Sequence, residues 1–330
     1  MPLETREPVT QPLFQSLLQA DMADVDRVIR ARLHSEVALV RQVSEYIIHS
    51  GGKRLRPALV VLTAKALGYA GTAHHEMAAV VEFIHTATLL HDDVVDASAL
   101  RRGRDTANAM FGNAASVLVG DFLYSRAFQM MVAQHSMRVM EVLSEATNVI
   151  AEGEVLQLMN CNDPDIDESA YLQVIRYKTA KLFEAAGRLG AIVNGRDRNM
   201  EDALGAYGMH LGTAFQIIDD VLDYSGDTQT IGKNVGDDLA EGKPTLPLLF
   251  AMKHGAPEET ALIRQAILEG DSTHFQEILA IVRKTGALEH AHLQAKAEAD
   301  LANVAIALLP DSQYKDALLE LPAFAVSREF

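Results

Sequence analysis

The sequence predicts an all-α protein, a single large helical bundle around a central cavity. Three observations carry that prediction. Apolar residues recur at three- and four-residue steps through almost the whole chain, while the strict alternation of a strand is nearly absent. Two long apolar segments, His74 to Asp96 and Met200 to Tyr224, have the all-round hydrophobicity of inward helices. No fixed-period repeat or low-complexity linker divides the 330 residues, so one domain over 1–330 is expected, with 1–12 as a loose tail.

In order, Leu13 to Leu33 and Glu36 to Ser50 read as amphipathic helices, the second through Val37, Val40, Val43 and Ile47 and stopped by Gly51-Gly52. Pro57 suits the first turn of the next helix, which ends near Ala66 before Gly68. After the central His74–Asp96 helix comes a basic loop, Arg101-Arg102-Gly103-Arg104. Helix resumes near Asn108 or Asn113, again from Gly120 to Val132, and from Met137 to Met159, where Asn160 to Asp165 breaks it. Asp167 or Ser169 is placed to cap a helix running through Tyr177-Lys178-Thr179 to Val193. The second inward helix follows. Ser225 to Lys243 is too polar for core and is expected as a loop over the mouth of a site. Pro244 and Pro247 open a short helix, and Glu258 to Leu309 supplies further amphipathic pairs.

Composition narrows the partners. A net charge of −16 is wrong for a general nucleic-acid or anionic-membrane surface. The single cysteine, Cys161, rules out an internal disulfide framework and suits a reducing cytoplasm. Met1 to Pro12, with three prolines and mixed charges, does not resemble a signal sequence, and no uninterrupted apolar run reaches the roughly 20 residues of a membrane span.

The chemistry concentrates where the inward helices end. Asp92-Asp93-Val94-Val95-Asp96 and Asp219-Asp220-Val221-Leu222-Asp223 both spell D-D-x-x-D. On a helix the first and last aspartates of each motif share a face, roughly 5–6 Å apart at Cβ. A carboxylate cluster beside apolar sequence repels itself unless it is protonated or neutralised, and hard oxygen ligands suit Mg²⁺ better than Zn²⁺. One such motif is commonly a solvated acidic face; two, both flanked by apolar helix, point to metal ions gripping a diphosphate. The basic counterpart is Gly51-Gly52-Lys53-Arg54-Leu55-Arg56-Pro57, where a helix N-terminus and three cations favour an anion. It lacks the spacing and hydroxyl of a Walker loop. Lys178, Lys233 and Lys243 are candidates to reach a second, metal-bound diphosphate.

Taken together, Gly51 to Pro57, Asp92 to Asp96 followed by Arg101-Arg102-Gly103, Lys178-Thr179, Phe215-Gln216 leading into Asp219 to Asp223, and Gly232-Lys233 through Asp237-Asp238 to Gly242-Lys243-Pro244 resemble the motif series of the trans-isoprenyl diphosphate synthases. The likeness runs from about Leu13 to the C-terminus and is greatest to the long-chain polyprenyl synthases of bacteria. It implies the isoprenoid synthase fold, a homodimer, and two to three Mg²⁺ ions per site. Asp92 and Asp96, with Asp93 in support, would bind Mg²⁺ on the allylic diphosphate, and Asp219, Asp220 and Asp223 would complete the metal site. Arg101 and Lys178 would contact that diphosphate, with Thr179, Gln216, Lys233 and Lys243 beside it. Lys53, Arg56, His85 and Arg102 would hold isopentenyl diphosphate. His85 gains its role from lying about two turns before Asp92, because a lone histidine on an apolar helix is usually a packed one; His91 is left to packing. Lacking a membrane anchor, the enzyme would release its product by transient membrane contact.

Product length follows from geometry. Ala87 and Thr88 lie about one turn, ~5–6 Å, below the ionising carbon, and their small side chains leave a tail room to grow. The floor is expected deeper, among Phe128, Met131 and Leu143, and Ala87→Phe is expected to shorten the product. Forty carbons is the length the resemblance favours, with forty-five next. A terpene cyclase would differ at the second acidic motif and lack the Gly51–Pro57 site, an inactive helical partner subunit would have lost a metal cluster or Lys178, and a head-to-head condensing enzyme would carry an anchor.

Overall fold

The computed structural model describes residues 13–49, 51–101, 103–225 and 235–327. Helices account for nearly all of its regular structure: α1 (Leu13–Leu17), α2 (Gln19–Arg32), α3 (Ala38–His49), α4 (Leu55–Ala66), α5 (Ala73–Val95), α6 (Ala107–Phe111), α7 (Asn113–Ala133), α8 (Met137–Asn160), α9 (Glu168–Ile175), α10 (Lys181–Val193) and α11 (Arg198–Ser225). The C-terminal part adds α12 (Asp237–Ala240), α13 (Leu246–His254), α14 (Pro257–Glu269), α15 (Phe275–Lys284), α16 (Ala287–Ala305) and α17 (Gln313–Val326). A two-residue ladder, β1 (Leu100–Arg101) against β2 (Arg104–Asp105), pairs Leu100 with Asp105. The fold is all-α, as the periodicity predicts.

Local chemistry sets the boundaries. Ser136, Asp167 and Ser312 cap α8, α9 and α17 by accepting the backbone N–H three residues on. The expected Leu13–Leu33 helix is interrupted at Leu18, and the two segments expected between Asn113 and Val132 are one helix. Two features were not foreseen. Arg176–Ala180 forms a π-helical segment between α9 and α10, and α17 follows the last predicted element despite carrying Pro322. The expected 1–12 tail lies outside the described residues.

The core places α5 at the centre. From Met77 to Leu90 it buries nearly every side chain, packing mainly on α7, α4 and α2. Within that stretch the residues that keep partial exposure, Glu82, His85, Thr88 and Leu89, fall on one stripe, which Asp92 and Asp96 continue, and the six span about a third of the helix circumference. That stripe is the cavity face of α5. Opposite, α11 keeps Phe215, Gln216, Asp219 and Asp223 partly exposed amid buried neighbours. Each inward helix therefore leaves one partly exposed stripe, and that stripe carries aspartates of its acidic motif.

At the N-terminal end of α5, His74 Nε2, His75 Nε2 and Lys65 Nζ all approach Asp21 Oδ1, at 3.3, 2.9 and 3.0 Å. Burial, with His75 adding to it, pushes the His74 imidazole down to about 4, so it is neutral at pH 7. Although the two histidines and Asp21 have the composition of a metal site, the lysine ammonium on the same oxygen makes the group a hydrogen-bonded staple of α2, α4 and α5. Among the described residues, no helix is long and apolar enough to cross a membrane.

Candidate active site

The π segment organises the site. Lys178 and Thr179 lie side by side within it, at a π-helical turn of the kind found often at functional sites. Lys178 Nζ reaches Glu154 Oε2 on α8 at 2.6 Å and Asp92 Oδ2 on α5 at 3.8 Å. Thr179 Oγ1 donates to Gln216 Oε1 on α11 at 3.0 Å. Both flanking helices approach closely because they carry glycine: a Cβ on Gly153 of α8 would stand 2.6 Å from the Lys178 nitrogen, and one on Gly212 of α11 would stand 2.6 Å from the Ala180 Cα. The segment thus touches the acidic end of α5 through Lys178 and that of α11 through Thr179 and Gln216.

The six aspartates stand in different surroundings. Asp92 and Asp96 face cations, Lys178 and Lys243, the latter with Nζ 3.4 Å from Asp96 Oδ2. Burial raises the Asp92 carboxyl above the usual range; Lys178 opposes the shift and Asp96 reinforces it. Asp93 points away from them, wholly buried, and accepts from Arg101 Nε and Nη2 at 2.9 and 2.7 Å. On α11, Asp219 has no hydrogen bond or ion pair among the described residues and stays half-exposed. Asp220 is buried, its Oδ2 accepting from the Tyr171 hydroxyl at 2.7 Å and its Oδ1 from Gln216 Nε2 at 2.8 Å. Asp223 accepts the backbone N–H groups of Gly236 and Asp238 at 3.2 and 3.3 Å, anchoring the start of α12.

Lys243 ties the two halves together. Burial alone would lower its ammonium pKa, but the Asp238, Asp96 and Glu241 carboxylates outweigh it and hold the group well above the usual lysine range. It remains a full positive charge where a diphosphate would arrive. Glu154 is pushed up to about 7, first by burial, with Lys178 opposing and Asp92 adding to the shift. Tyr124 of α7 is raised to about 12 by burial and by the Asp92 and Glu154 charges, and so remains protonated at pH 7.

Asp220 gives a testable pH dependence. Burial, with Asp238 second, pushes its carboxyl up to about 8. Its folded-state pKa therefore exceeds its unfolded value near ~4, and the folded chain holds the extra proton between them. Stability is greatest below the lower value and declines as pH rises toward the upper one, where the carboxylate must be buried charged. The metal-free protein is expected to melt at progressively lower temperature from about pH 5 to about pH 8.5, and Asp220→Asn to flatten that slope.

The second anion site is built on α4. Arg54 takes a left-handed conformation, φ 49°, at the position preceding Leu55, and Pro57 occupies the first turn, as predicted. The Arg56 Nη1 lies 3.3 Å from His85 Nε2; since a guanidinium only donates, the imidazole nitrogen is the acceptor there. The Arg56 guanidinium also stacks 4.4 Å over the Phe183 ring. Lys53 Nζ lies 5.9 Å from the Phe324 ring centroid. Arg54, by contrast, is directed to Glu82 and Asp26, at 3.4 and 3.7 Å. His91 Nε2 sits 3.1 Å from the Val117 carbonyl, in a packing role. Arg102 and Lys233 lie outside the described residues.

Among the length-determining candidates, Ala87 is fully buried while Thr88 keeps exposure on the α5 cavity stripe, its hydroxyl tied to the His85 carbonyl at 2.8 Å. Met131 and Leu143 are buried in the same apolar cluster as Ala87, with Phe128 packed against it. Sequence reasoning passed over Glu154, Tyr124 and Tyr171. Each sits on an ordinary amphipathic helix, and only the close approach at Gly153 and the bulged segment distinguish them.

Comparison with known proteins agrees with this geometry. Residues 37–284 match the family model described as polyprenyl synthetase. The chain is 56% identical over 317 residues to the octaprenyl diphosphate synthase of Escherichia coli (strain K12), covering 96% of this chain and 98% of that one. It is 45% identical over 329 residues to the all-trans-nonaprenyl-diphosphate synthase (geranyl-diphosphate specific) of Rhodobacter capsulatus, covering 99% of both. Among solved structures, a Caulobacter crescentus CB15 polyprenyl synthase complexed with calcium and isoprenyl diphosphate superposes with a TM-score of 0.94 at 46% identity, over 98% of this chain and 100% of that one. The chain belongs to the polyprenyl synthetase family and has the all-α isoprenoid synthase fold. It is a prenyltransferase, a long-chain trans-polyprenyl diphosphate synthase.

Proposed function

We propose that the protein is an octaprenyl diphosphate synthase, a single-domain enzyme that extends farnesyl diphosphate by five isopentenyl units in the cytoplasm for the side chain of a quinone. The observation that carries the site reading is the division of the carboxylates: Asp92, Asp96 and Asp219 face the cavity, while Asp93, Asp220 and Asp223 are held from behind by Arg101, by Tyr171 with Gln216, and by backbone N–H groups. A donor set made of carboxylate oxygens alone, with Asp219 unpaired among the described residues, fits Mg²⁺. Asp92, Asp96 and Asp219 would hold two to three such ions directly. Asp220 and Asp223 would complete the metal site from behind, since an oxygen that accepts one protein N–H or O–H keeps a lone pair for a cation or its water. Bound there, Mg²⁺ would supply charge that makes diphosphate a good leaving group.

The chain's own residues account for the remainder. Lys178 and Lys243, already positioned on Asp92 and Asp96, neutralise the departing diphosphate, and each unit charge about 4 Å away contributes up to ~4 kcal/mol at an effective dielectric near 20. Arg101 steadies Asp93 and offers its remaining N–H groups, with Lys233 and Arg102 assigned by the motif likeness. The allylic C–O bond breaks with its electron pair leaving on oxygen. Lys53, Arg56 and His85 hold isopentenyl diphosphate at the start of α4, so that its double bond meets the allylic cation in an effectively unimolecular step. Loss of one proton to the released diphosphate restores a double bond. Thr179 and Gln216 face the cation as dipoles.

Forty carbons is favoured because identity to the octaprenyl synthase, 56%, exceeds that to the nonaprenyl one, 45%; forty-five remains the alternative. We also assign a homodimer to the exposed apolar residues of α7 and α8, including Leu118, Val132, Val155, Leu158 and Met159, and product release to transient contact with a membrane. Incubation with labelled isopentenyl diphosphate, farnesyl diphosphate and Mg²⁺, followed by chromatography of the dephosphorylated products, should give one dominant forty-carbon alcohol. Products that stop at fifteen or twenty carbons would refute the long-chain assignment.

A further inference from the structure

A chain of four side chains runs behind the cavity. The Tyr171 hydroxyl donates to Asp220 Oδ2, Gln216 Nε2 donates to Asp220 Oδ1, and Thr179 Oγ1 donates to Gln216 Oε1, at 2.7, 2.8 and 3.0 Å. The Tyr171 hydroxyl and the Gln216 NH₂ donate to Asp220, one to each carboxyl oxygen, so the Gln216 amide turns its carbonyl oxygen to Thr179. A threonine hydroxyl has one proton, which that carbonyl takes, leaving only lone pairs on Thr179 Oγ1 for anything else. Thr179 is the neighbour of Lys178, whose ammonium lies against Asp92. A hydroxyl with only lone pairs left to offer beside the departing diphosphate is suited to a developing positive charge.

We propose that Tyr171 is a positioning residue for the ionisation step: by fixing Asp220 it commits the Gln216 amide and the Thr179 hydroxyl to the one orientation that presents oxygen lone pairs to the allylic cation. The inference rests on the prenyl-transfer reading. Tyr171 is well placed for the task. It is 5% exposed and lies in the apolar cluster with Ile175, Ile217 and Val221, so its ring is fixed independently of its hydroxyl. Without that hydroxyl, Asp220 can rotate and the amide loses its fixed partner.

The test is a double-mutant cycle on the single-turnover rate of condensation, measured on the full-length enzyme with farnesyl diphosphate, isopentenyl diphosphate and saturating Mg²⁺. Tyr171→Phe keeps the ring and is expected to slow the step about tenfold in the wild-type background. In the Gln216→Ala background, where no amide remains to orient, it should cost less than about twofold. An equal loss in both backgrounds, or no loss in the wild type, overturns the proposal, as does an effect confined to the Mg²⁺ concentration needed for half-maximal rate. Should Tyr171→Phe fold poorly by circular dichroism, Asp220→Asn in the same two backgrounds gives the same discrimination, since an asparagine has one acceptor oxygen for the two donors, Tyr171 and Gln216, that Asp220 receives. A wild-type enzyme that fails to elongate at all would instead remove the prenyl-transfer reading, so the two failures are distinguishable.

Discussion

Replacing Asp219 by asparagine is expected to lower kcat about a thousandfold, because one unit charge near the reacting centre is worth ~4 kcal/mol and each ~1.4 kcal/mol is a factor of ten in rate. Asp219 is the carboxylate of the second motif with no protein partner among the described residues. Among the described residues its loss therefore breaks no hydrogen bond, and the melting temperature should stay near that of the wild type. Asp93→Asn should behave in the opposite way. That side chain is fully buried under the Arg101 guanidinium, and removing its charge leaves an arginine poorly matched, so stability should fall along with activity. Kinetics and thermal melting on the two variants separate a carboxylate that serves the chemistry from one that holds the scaffold. Equal effects on both quantities in both variants would contradict the division of the motif.

Thr88→Phe is expected to cut the product by several isoprene units. Thr88 stands on the partly exposed stripe of α5 about one turn from Asp92, so a phenyl ring there occupies the path a growing tail must take. Ala87→Phe should also shorten the product, but Ala87 has no exposure and lies in the packed cluster containing Met131 and Leu143. Its ring must first displace neighbours, which costs about 1–3 kcal/mol and should appear as a lower melting temperature. Chromatography of the products, read beside the melting curves, distinguishes the positions. An unchanged distribution from both variants would place the tunnel elsewhere.

The difference between those two neighbours shows where sequence reading stops. Periodicity identifies α5 as central because it is apolar nearly all round, yet the few polar residues before the motif, Glu82, His85, Thr86 and Thr88, do not by themselves say which third of the circumference faces the cavity. That follows from packing against α4 and α7, which brings distant segments together. The acidic motifs and the cations were legible because charge beside apolar helix is costly and has to be explained. Their division into cavity-facing and supported carboxylates was not legible: whether Asp220 meets a metal or a tyrosine depends on α9, nearly fifty residues earlier in the chain. The π segment escaped for a related reason. Residues 168–193 carry an unbroken helical pattern, and the bulge shows only in the folded chain, where Gly153 and Gly212 let two helices close on it. Helix α17 was missed at the other extreme, where Pro322 and a short apolar run give a weak local signal that burial against α4 and α16 overrides.

The central claim is that the two aspartate-bearing helices share divalent ions at one diphosphate. Its most direct test is anomalous diffraction from crystals grown with Mn²⁺ and a non-ionising allylic thiodiphosphate. The account predicts Mn²⁺ peaks bridging the diphosphate to Asp92 and Asp96 on one side and Asp219 on the other, with Lys178 and Lys243 on the same phosphate oxygens. A diphosphate bound between the helices with no Mn²⁺ coordinated to Asp219, or Mn²⁺ located away from both motifs, would contradict it.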